Sequence, residues 1–380
     1  MLQNKFISDL GYKLAVSAFV SSPVALYVLS HFGEIDTPYI DRALFFIISS
    51  LITTPLRIYE RIRYSIVTRN TSLSAPPIFV LGHWRSGTTY LHNLISQDEN
   101  LGYVSTFQAI APDFFLMGCQ TILPVLIELI PPSNRPEDNV TVTLDGPQEE
   151  EIAIAKMMPY SFLLHLIFPR NSNDLFQKYG LMRNIPEAAI DQWAGKYTQM
   201  LRKATWRMGN KRLVLKNPIN TARVKALLHL FPGAKFIHVH RNPYSVYLST
   251  LHYYRTLLPL IQLQKISQNE LEANIFIFYK RIMQQFLREK HFIPPGNFAE
   301  IRFEDLEANP LAELHDVYTS LSLPGFSDAE EAFSSYIISQ ANYKKNKFTL
   351  SNDVIKKVNH HWRFAFNEWG YDLIDPQKVC

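Results

Sequence analysis

The sequence predicts an α/β protein: a P-loop-like parallel sheet flanked by helices, with a long helical insertion and an apolar helical N-terminal segment. Three observations predict it. Pro77 to His92 reads PIFVLGHWRSGTTYLH, an apolar run, a glycine-bounded loop and then helical spacing. Two further units of strand and helix begin at Leu213 and Phe236. A later candidate strand, Phe298 to Phe303, precedes a helical pattern from Leu311 to Leu321. Strands that alternate with helices need crossover connections, so parallel pairing is expected.

Residues 1–70 form the apolar N-terminal segment. Leu14 to Phe32 holds nineteen residues without Asp, Glu, Lys or Arg, and Ala43 to Leu56 fourteen more, before Arg57, Arg61, Arg63 and Arg69 arrive. The first run is interrupted by Ser17, Ser21, Ser22, Pro23, Ser30 and His31, which makes it marginal against the ~20 strongly apolar residues of a spanning helix. Three arrangements stay open: helices packed on the domain, helices lying peripherally in a membrane interface, or a span. Asp9 ahead of the apolar run and the lack of a clear AxA-like site argue against a signal peptide.

Pro76 and Pro77 mark the entrance to the main domain, residues 71–380. Ile78, Phe79, Val80 and Leu81 read as a strand buried on both faces, and Tyr90, Leu91, Leu94 and Ile95 recur at helical spacing. Between them Gly82 and Gly87 permit a tight loop whose amides, with the positive end of the following helix, suit phosphate or sulfate. Against the nucleotide-triphosphatase pattern GxxxxGK[ST] the glycines are correctly separated, but Thr88 stands at the lysine position. Arg85 supplies the charge from within the loop, and its planar guanidinium can grip two oxygens at once. Ser86, Thr88 and Thr89 add hydroxyl donors.

About residues 104–208 form a helical insertion in which Phe107, Phe114, Phe115, Tyr160, Phe162, Phe168, Trp193 and Tyr197 either pack a core or roof an acceptor pocket. Residues 133–139, SNRPEDN, read as an exposed linker. Arg212 to Pro218, RLVLKNP, reads as a second buried strand that ends in Lys216, followed by a helical stretch from Thr221 to Leu230. Lys235 to Ser249, KFIHVHRNPYSVYLS, is a third strand ending at Arg241, with Pro243 in the first helical turn. Arg241 then sits at the carboxyl end of a strand, where open α/β sheets bind ligands, and Ser249 offers a hydroxyl from the next helix.

Composition narrows the classes. Lysine and arginine total 38 against 34 acidic residues, a formal charge of +4 that argues against a nucleic-acid coat. Cys119 and Cys380 are the two cysteines, so there is neither a disulfide framework nor a CxxC metal signal, and a cytoplasmic setting is expected, membrane-associated if the N-terminal segment reaches a bilayer.

The loop GHWRSGTTYLH resembles the 5′-phosphosulfate loop of sulfotransferases that use 3′-phosphoadenosine 5′-phosphosulfate (PAPS). That resemblance implies PAPS as sulfuryl donor, no metal, and a donor site drawn from Arg85, Ser86, Gly87, Thr88 and Thr89. It further implies that Arg241 and Ser249 hold the 3′-phosphate and that Lys216 is aimed at the transferred group. The basic C-terminal stretches YKKNK and HHWRFAFNEWGY would bring Lys344 and Arg363 to the nucleotide. With GHWRSGTTYLHN, DGPQEEE and LVLKNPINTARVKALL, the chain resembles the bacterial sulfotransferases of gut Bacteroides, a group that includes cholesterol and steroid sulfotransferases. The implied acceptor is a small lipophilic hydroxyl compound, a sterol or steroid. Another lipid, a phenol or a glycan is the alternative within that chemistry; a P-loop kinase and an inactive nucleotide-binding membrane scaffold are the alternatives outside it.

The base that takes the acceptor's proton is not supplied by the family patterns. Cytosolic sulfotransferases place a histidine two residues after the lysine, where Pro218 stands here. Protein-tyrosine sulfotransferases place a glutamate after the first helix, where this chain has Thr106, Phe107 and Gln108. In DGPQEEE, residues 145–151, Glu149, Glu150 and Glu151 either complement the positive end of a helix or contribute one general base. Glu149 and Glu150 join Arg85 and Lys216 as candidate catalytic groups, with His83 and His252 as imidazole rivals.

Overall fold

The computed structural model describes residues 19–129 and 132–377; the start of the first apolar run, Asp9 and Cys380 lie outside the described residues. Helices α1 (Ser22–His31), α2 (Ile40–Ile52) and α3 (Thr54–Asn70) come first. Pro23 and Pro55 stand in the opening turns of α1 and α3, where a missing amide costs nothing. Then follow β1 (Ile78–Leu81), α4 (Thr88–Ile95) and β2 (Leu101–Gly102). The insertion includes α5 (Thr106–Ile110), α6 (Phe115–Thr121), α7 (Glu150–Met157) and α8 (Glu187–Arg207). Strand–helix alternation resumes with β3 (Arg212–Lys216), α9 (Val224–Leu230), β4 (Lys235–His240), α10 (Pro243–Ile261), α11 (Gln268–Glu289) and β5 (Phe298–Arg302). Four helices close the chain: α12 (Phe303–Ala308), α13 (Pro310–Ser320), α14 (Phe326–Ser339) and α15 (Asn352–Trp369).

The chain divides into two compact units. One, the loop-bearing unit, comprises Pro77–Glu99, Lys216–Arg255 and the residues from Ser267 onward. Its parallel strands run in the order β1-β4-β5, with Phe79 opposite Phe236 and Ile237 opposite Ala299. All four residues of β1 are buried, as the apolar run requires, whereas β5 alternates buried and exposed residues as an edge strand does. Helix α11 packs on α15, where Trp362 is fully buried, stacks on Tyr279 and donates its indole N–H to the Phe276 carbonyl.

The insertion unit holds the described residues up to Pro76 together with Asn100–Leu215 and Thr256–Ile266. Strands β2 and β3 pair in parallel within it, and α8 packs against α3 and α7. Phe107, Phe114, Phe115, Phe162, Phe168, Trp193 and Tyr197 are all buried here, so the aromatic residues of the insertion chiefly build its core. A buried ion pair joins Lys203 on α8 to Glu60 on α3, and the Met117 amide donates to the same carboxylate.

Three sequence expectations need correction. Residues 133–139 are an exposed linker only in part: Asn134, Pro136 and Asn139 are exposed, but Glu137 and Asp138 are buried, because Arg135 pairs with Asp138 at 2.5 Å and the Val140 amide donates to it at 3.1 Å. The helical stretch from Thr221 to Leu230 is split. Asn217 caps a short 3₁₀ turn, Pro218–Ala222, and Arg223 leaves helical geometry before α9 starts. Phe303 does not finish β5 but opens α12.

Candidate active site

The loop after β1 is shaped by three unusual backbones. Gly82 has φ +139°, and a Cβ there would stand 2.4 Å from the Val239 carbonyl oxygen. Gly87 has φ +97°, and its Cβ would stand 1.9 Å from the Phe303 ring. Arg85 itself is left-handed, φ +71°, a conformation that costs a non-glycine residue energy and that the surrounding loop must hold in place. Ser86 helps to hold it: its amide and its hydroxyl both donate to the His83 carbonyl, at 3.1 and 2.7 Å. Thr88 and Thr89 begin α4, whose unpaired N-terminal amides follow Gly87.

The residues singled out in two separate motifs meet here. Arg85 Nε donates to Ser249 Oγ at 2.9 Å, and Arg241 Nη1 donates to the Arg85 carbonyl at 3.1 Å. Two guanidinium groups and a hydroxyl thus converge at one loop, an arrangement that suits phosphate and sulfate oxygens. Arg241 lies 4.5 Å over the Phe303 ring, and burial lowers its pKa while Glu304 and Glu307 oppose that shift. Glu304 also accepts from the Asn242 amide at 3.0 Å, which fixes the chain immediately after Arg241.

Lys216 is buried at the end of β3. The turn that follows it is tied to the loop: Thr221 Oγ1 accepts from the Gly82 amide at 2.8 Å and donates to the Gly82 carbonyl at 3.2 Å. Lys344 is exposed in an irregular segment whose Tyr343 acts electrostatically on Arg241 and whose Phe348 ring lies 5.6 Å from His252. Arg363 stands on the exposed side of α15, opposite the buried Ile355, Val358, Trp362 and Phe366. Sequence reasoning gave Thr221 and Phe303 no role at the site, although Thr221 lies within LVLKNPINTARVKALL, because their roles come from a contact across 139 residues in one case and from the space beside Gly87 in the other.

The three glutamates lie in the insertion unit and differ sharply. Glu149 is the N-cap of α7, and Glu150 and Glu151 are buried in its first turn. Complementing a helix end does not require burial, so that reading leaves their environment unexplained. Glu151 accepts from Ser161 Oγ at 2.7 Å. Glu150 accepts from Tyr197 Oη at 2.7 Å, and burial pushes its pKa up to about 7 despite that hydrogen bond. Gln108 has a structural role: with Ser105 it forms the capping box of α5. His83 is buried, its Nδ1–H donates to the Trp84 carbonyl at 2.8 Å, and burial pushes its pKa down to about 4, which makes it a weak base.

A parallel α/β sheet with an arginine-bearing loop at a strand end suits the binding of phosphate- or sulfate-type groups. The chain belongs to the sulfotransferase family, whose model matches residues 76–328. The omega-hydroxy-beta-dihydromenaquinone-9 sulfotransferase Stf3 of Mycobacterium bovis is 29% identical over 330 residues, covering 87% of this chain and 84% of the relative. Among solved structures, sulfotransferase STF9 of Mycobacterium avium superposes with a TM-score of 0.65 at 16% identity, over 93% of this chain and 98% of that one. STF1 of Mycobacterium tuberculosis gives 0.56 at 18% identity, over 87% of each chain. These two share the fold; the kinase and inactive-scaffold readings are not favoured by the family match.

Proposed function

We propose that this sulfotransferase moves the sulfuryl group of PAPS to the hydroxyl of a lipophilic alcohol. The observation that carries the donor is the convergence of Arg85, Ser249 and Arg241 at the loop. Arg85, Lys216 and the amides of Gly87, Thr88 and Thr89 would bind the charge that builds on the leaving phosphate, the interaction that speeds transfer beyond binding. Arg241 and Ser249, with Lys344 from the adjacent segment, would hold the 3′-phosphate.

Glu150 is the proposed general base, on the chemistry of its own surroundings. A carboxyl with a pKa near 7 accepts a proton from an attacking hydroxyl far better than an ordinary one, and Tyr197 fixes its orientation. The acceptor oxygen then attacks sulfur as the bond from sulfur to the phosphate oxygen breaks, and the proton stays on Glu150.

A lipophilic acceptor is supported by the relative Stf3, which is named for an ω-hydroxylated menaquinone, a lipid. We extend the proposal to a sterol acceptor, as the resemblance to the Bacteroides sulfotransferases implies, and to a cytoplasmic setting. Incubation with labelled PAPS and a panel of ω-hydroxylated isoprenoid quinones, sterols, phenols, sugars and peptides tests it: lipophilic alcohols should gain a sulfuryl group, and sulfation of sugars or peptides alone would refute the acceptor class.

A further inference from the structure

The helices α2 and α3 are turned inside out. Their exposed side carries Ile48, Leu51, Ile52, Ile58, Ile62 and Ile66 at spacings of one helical face, with Ile52, Ile62 and Ile66 each at least 70% exposed. Their protein-facing side sets Ala43 and Phe46 among a polar majority of Ser49, Ser50, Thr53 and Glu60. Ser49 and Thr53 are buried with their hydroxyls bonded to backbone carbonyls, Arg57 donates to the carbonyls of Ser50 and Val20 at 2.8 and 2.7 Å, and Glu60 pairs with Lys203. A helix packed on a protein in water shows the opposite arrangement. With Ile40 and Leu44 on α2, the apolar stripe is larger than scattered surface residues explain.

Charge identifies what covers it. The two helices carry two acidic residues, Asp41 exposed at the start of α2 and Glu60 buried, while Arg61, Arg63 and Arg69 are exposed beside the stripe. We propose that α2 and α3 form a docking face for an anionic lipid bilayer, lying in the plane of the interface with the isoleucines in the acyl boundary and the arginines among headgroups. A twofold interface between copies would set these arginines against their own equivalents. The stretch Thr37–Asn70 is long and apolar enough to cross a membrane by composition, but its buried polar side is committed to Lys203, Met117 and Val20 in the insertion unit, so it lies on the bilayer instead of crossing it. The proposal stands apart from the transfer reaction, because vesicle binding is read without any acceptor or donor.

Flotation of the full chain with phosphatidylcholine vesicles, and with vesicles that also contain phosphatidylglycerol, tests it. The wild-type chain should float with the anionic vesicles, less as salt rises. The pair Ile62→Gln and Ile66→Gln, and separately the pair Arg61→Gln and Arg63→Gln, should each lower partitioning roughly tenfold. Circular dichroism should show wild-type thermal unfolding for both, since all four side chains are exposed. Failure of the wild type to float, or undiminished flotation of the isoleucine variant, overturns the proposal. So does a lipid-free dimer that the isoleucine variant dissolves, which would make a second copy the occupant, or flotation gained only when residues 1–18 are removed.

Discussion

Arg85 Nε and Ser249 Oγ lie 2.9 Å apart although 164 positions separate them in the chain. The charge of the loop after β1 is therefore held by a hydroxyl from α10, which joins the two segments proposed to address the two ends of a nucleotide. Ser249→Ala should leave the fold intact and weaken binding of adenosine 3′,5′-bisphosphate several-fold, about 1 kcal/mol, read by isothermal titration.

Gly87 and Phe303 form a second such joint. Gly87→Ala would combine a left-handed backbone with a collision against the ring, and we expect a loss of about 1–3 kcal/mol in urea unfolding. Adding Phe303→Ala should recover part of the loss, because it opens the space but leaves φ unchanged. The same change removes the ring beneath Arg241, so nucleotide affinity should fall as stability returns.

Glu150 makes opposite predictions for activity and stability. Transfer should rise with pH through an inflection near 7, because the base works ionised. Tyr197→Phe removes the hydrogen bond that favours the ionised form and should move the inflection upward. For stability, the folded pKa of about 7 lies above the ordinary 4.5. Its contribution is therefore full below the ordinary value and lost as pH rises through the folded one. Glu150→Gln should be inactive yet more resistant to urea than wild type at about pH 8, by up to about 3 kcal/mol.

Lys203 and Glu60 predict a structural effect. Lys203→Met leaves a buried carboxylate whose pKa burial already raises, and should cost about 3–5 kcal/mol in thermal or urea unfolding. Combining it with Glu60→Gln should restore part of that loss, since no lone charge remains buried.

Much of the fold around the loop was legible because its signals are local. An apolar run, two glycines and helical spacing announce β1, the loop and α4 within Pro77 to His92, and Lys216 and Arg241 each end an apolar run. The structure adds what is long-range: Thr221 tying the turn after Lys216 to Gly82, and Phe303 filling the space beside Gly87. The sequence shows three adjacent glutamates as equals. Burial separates Glu150 and Glu151 from Glu149, and Tyr197, 47 residues from Glu150, distinguishes Glu150 from Glu151. The charge-free run Ala43 to Leu56 left membrane and core readings open for a similar reason. Which of its faces is buried depends on partners outside the run, such as Ser22, whose hydroxyl donates to the Ser50 carbonyl.

The most direct test of the donor site compares adenosine 3′,5′-bisphosphate with adenosine 5′-monophosphate by isothermal titration, on wild type and on Arg241→Ala. The bisphosphate should bind wild type at least about a hundredfold more tightly, the scale of a doubly gripped phosphate, and Arg241→Ala should remove most of that difference. Equal affinity for the two nucleotides, or a preference that survives Arg241→Ala, would contradict the assignment of Arg241 and Ser249 to a 3′-phosphate.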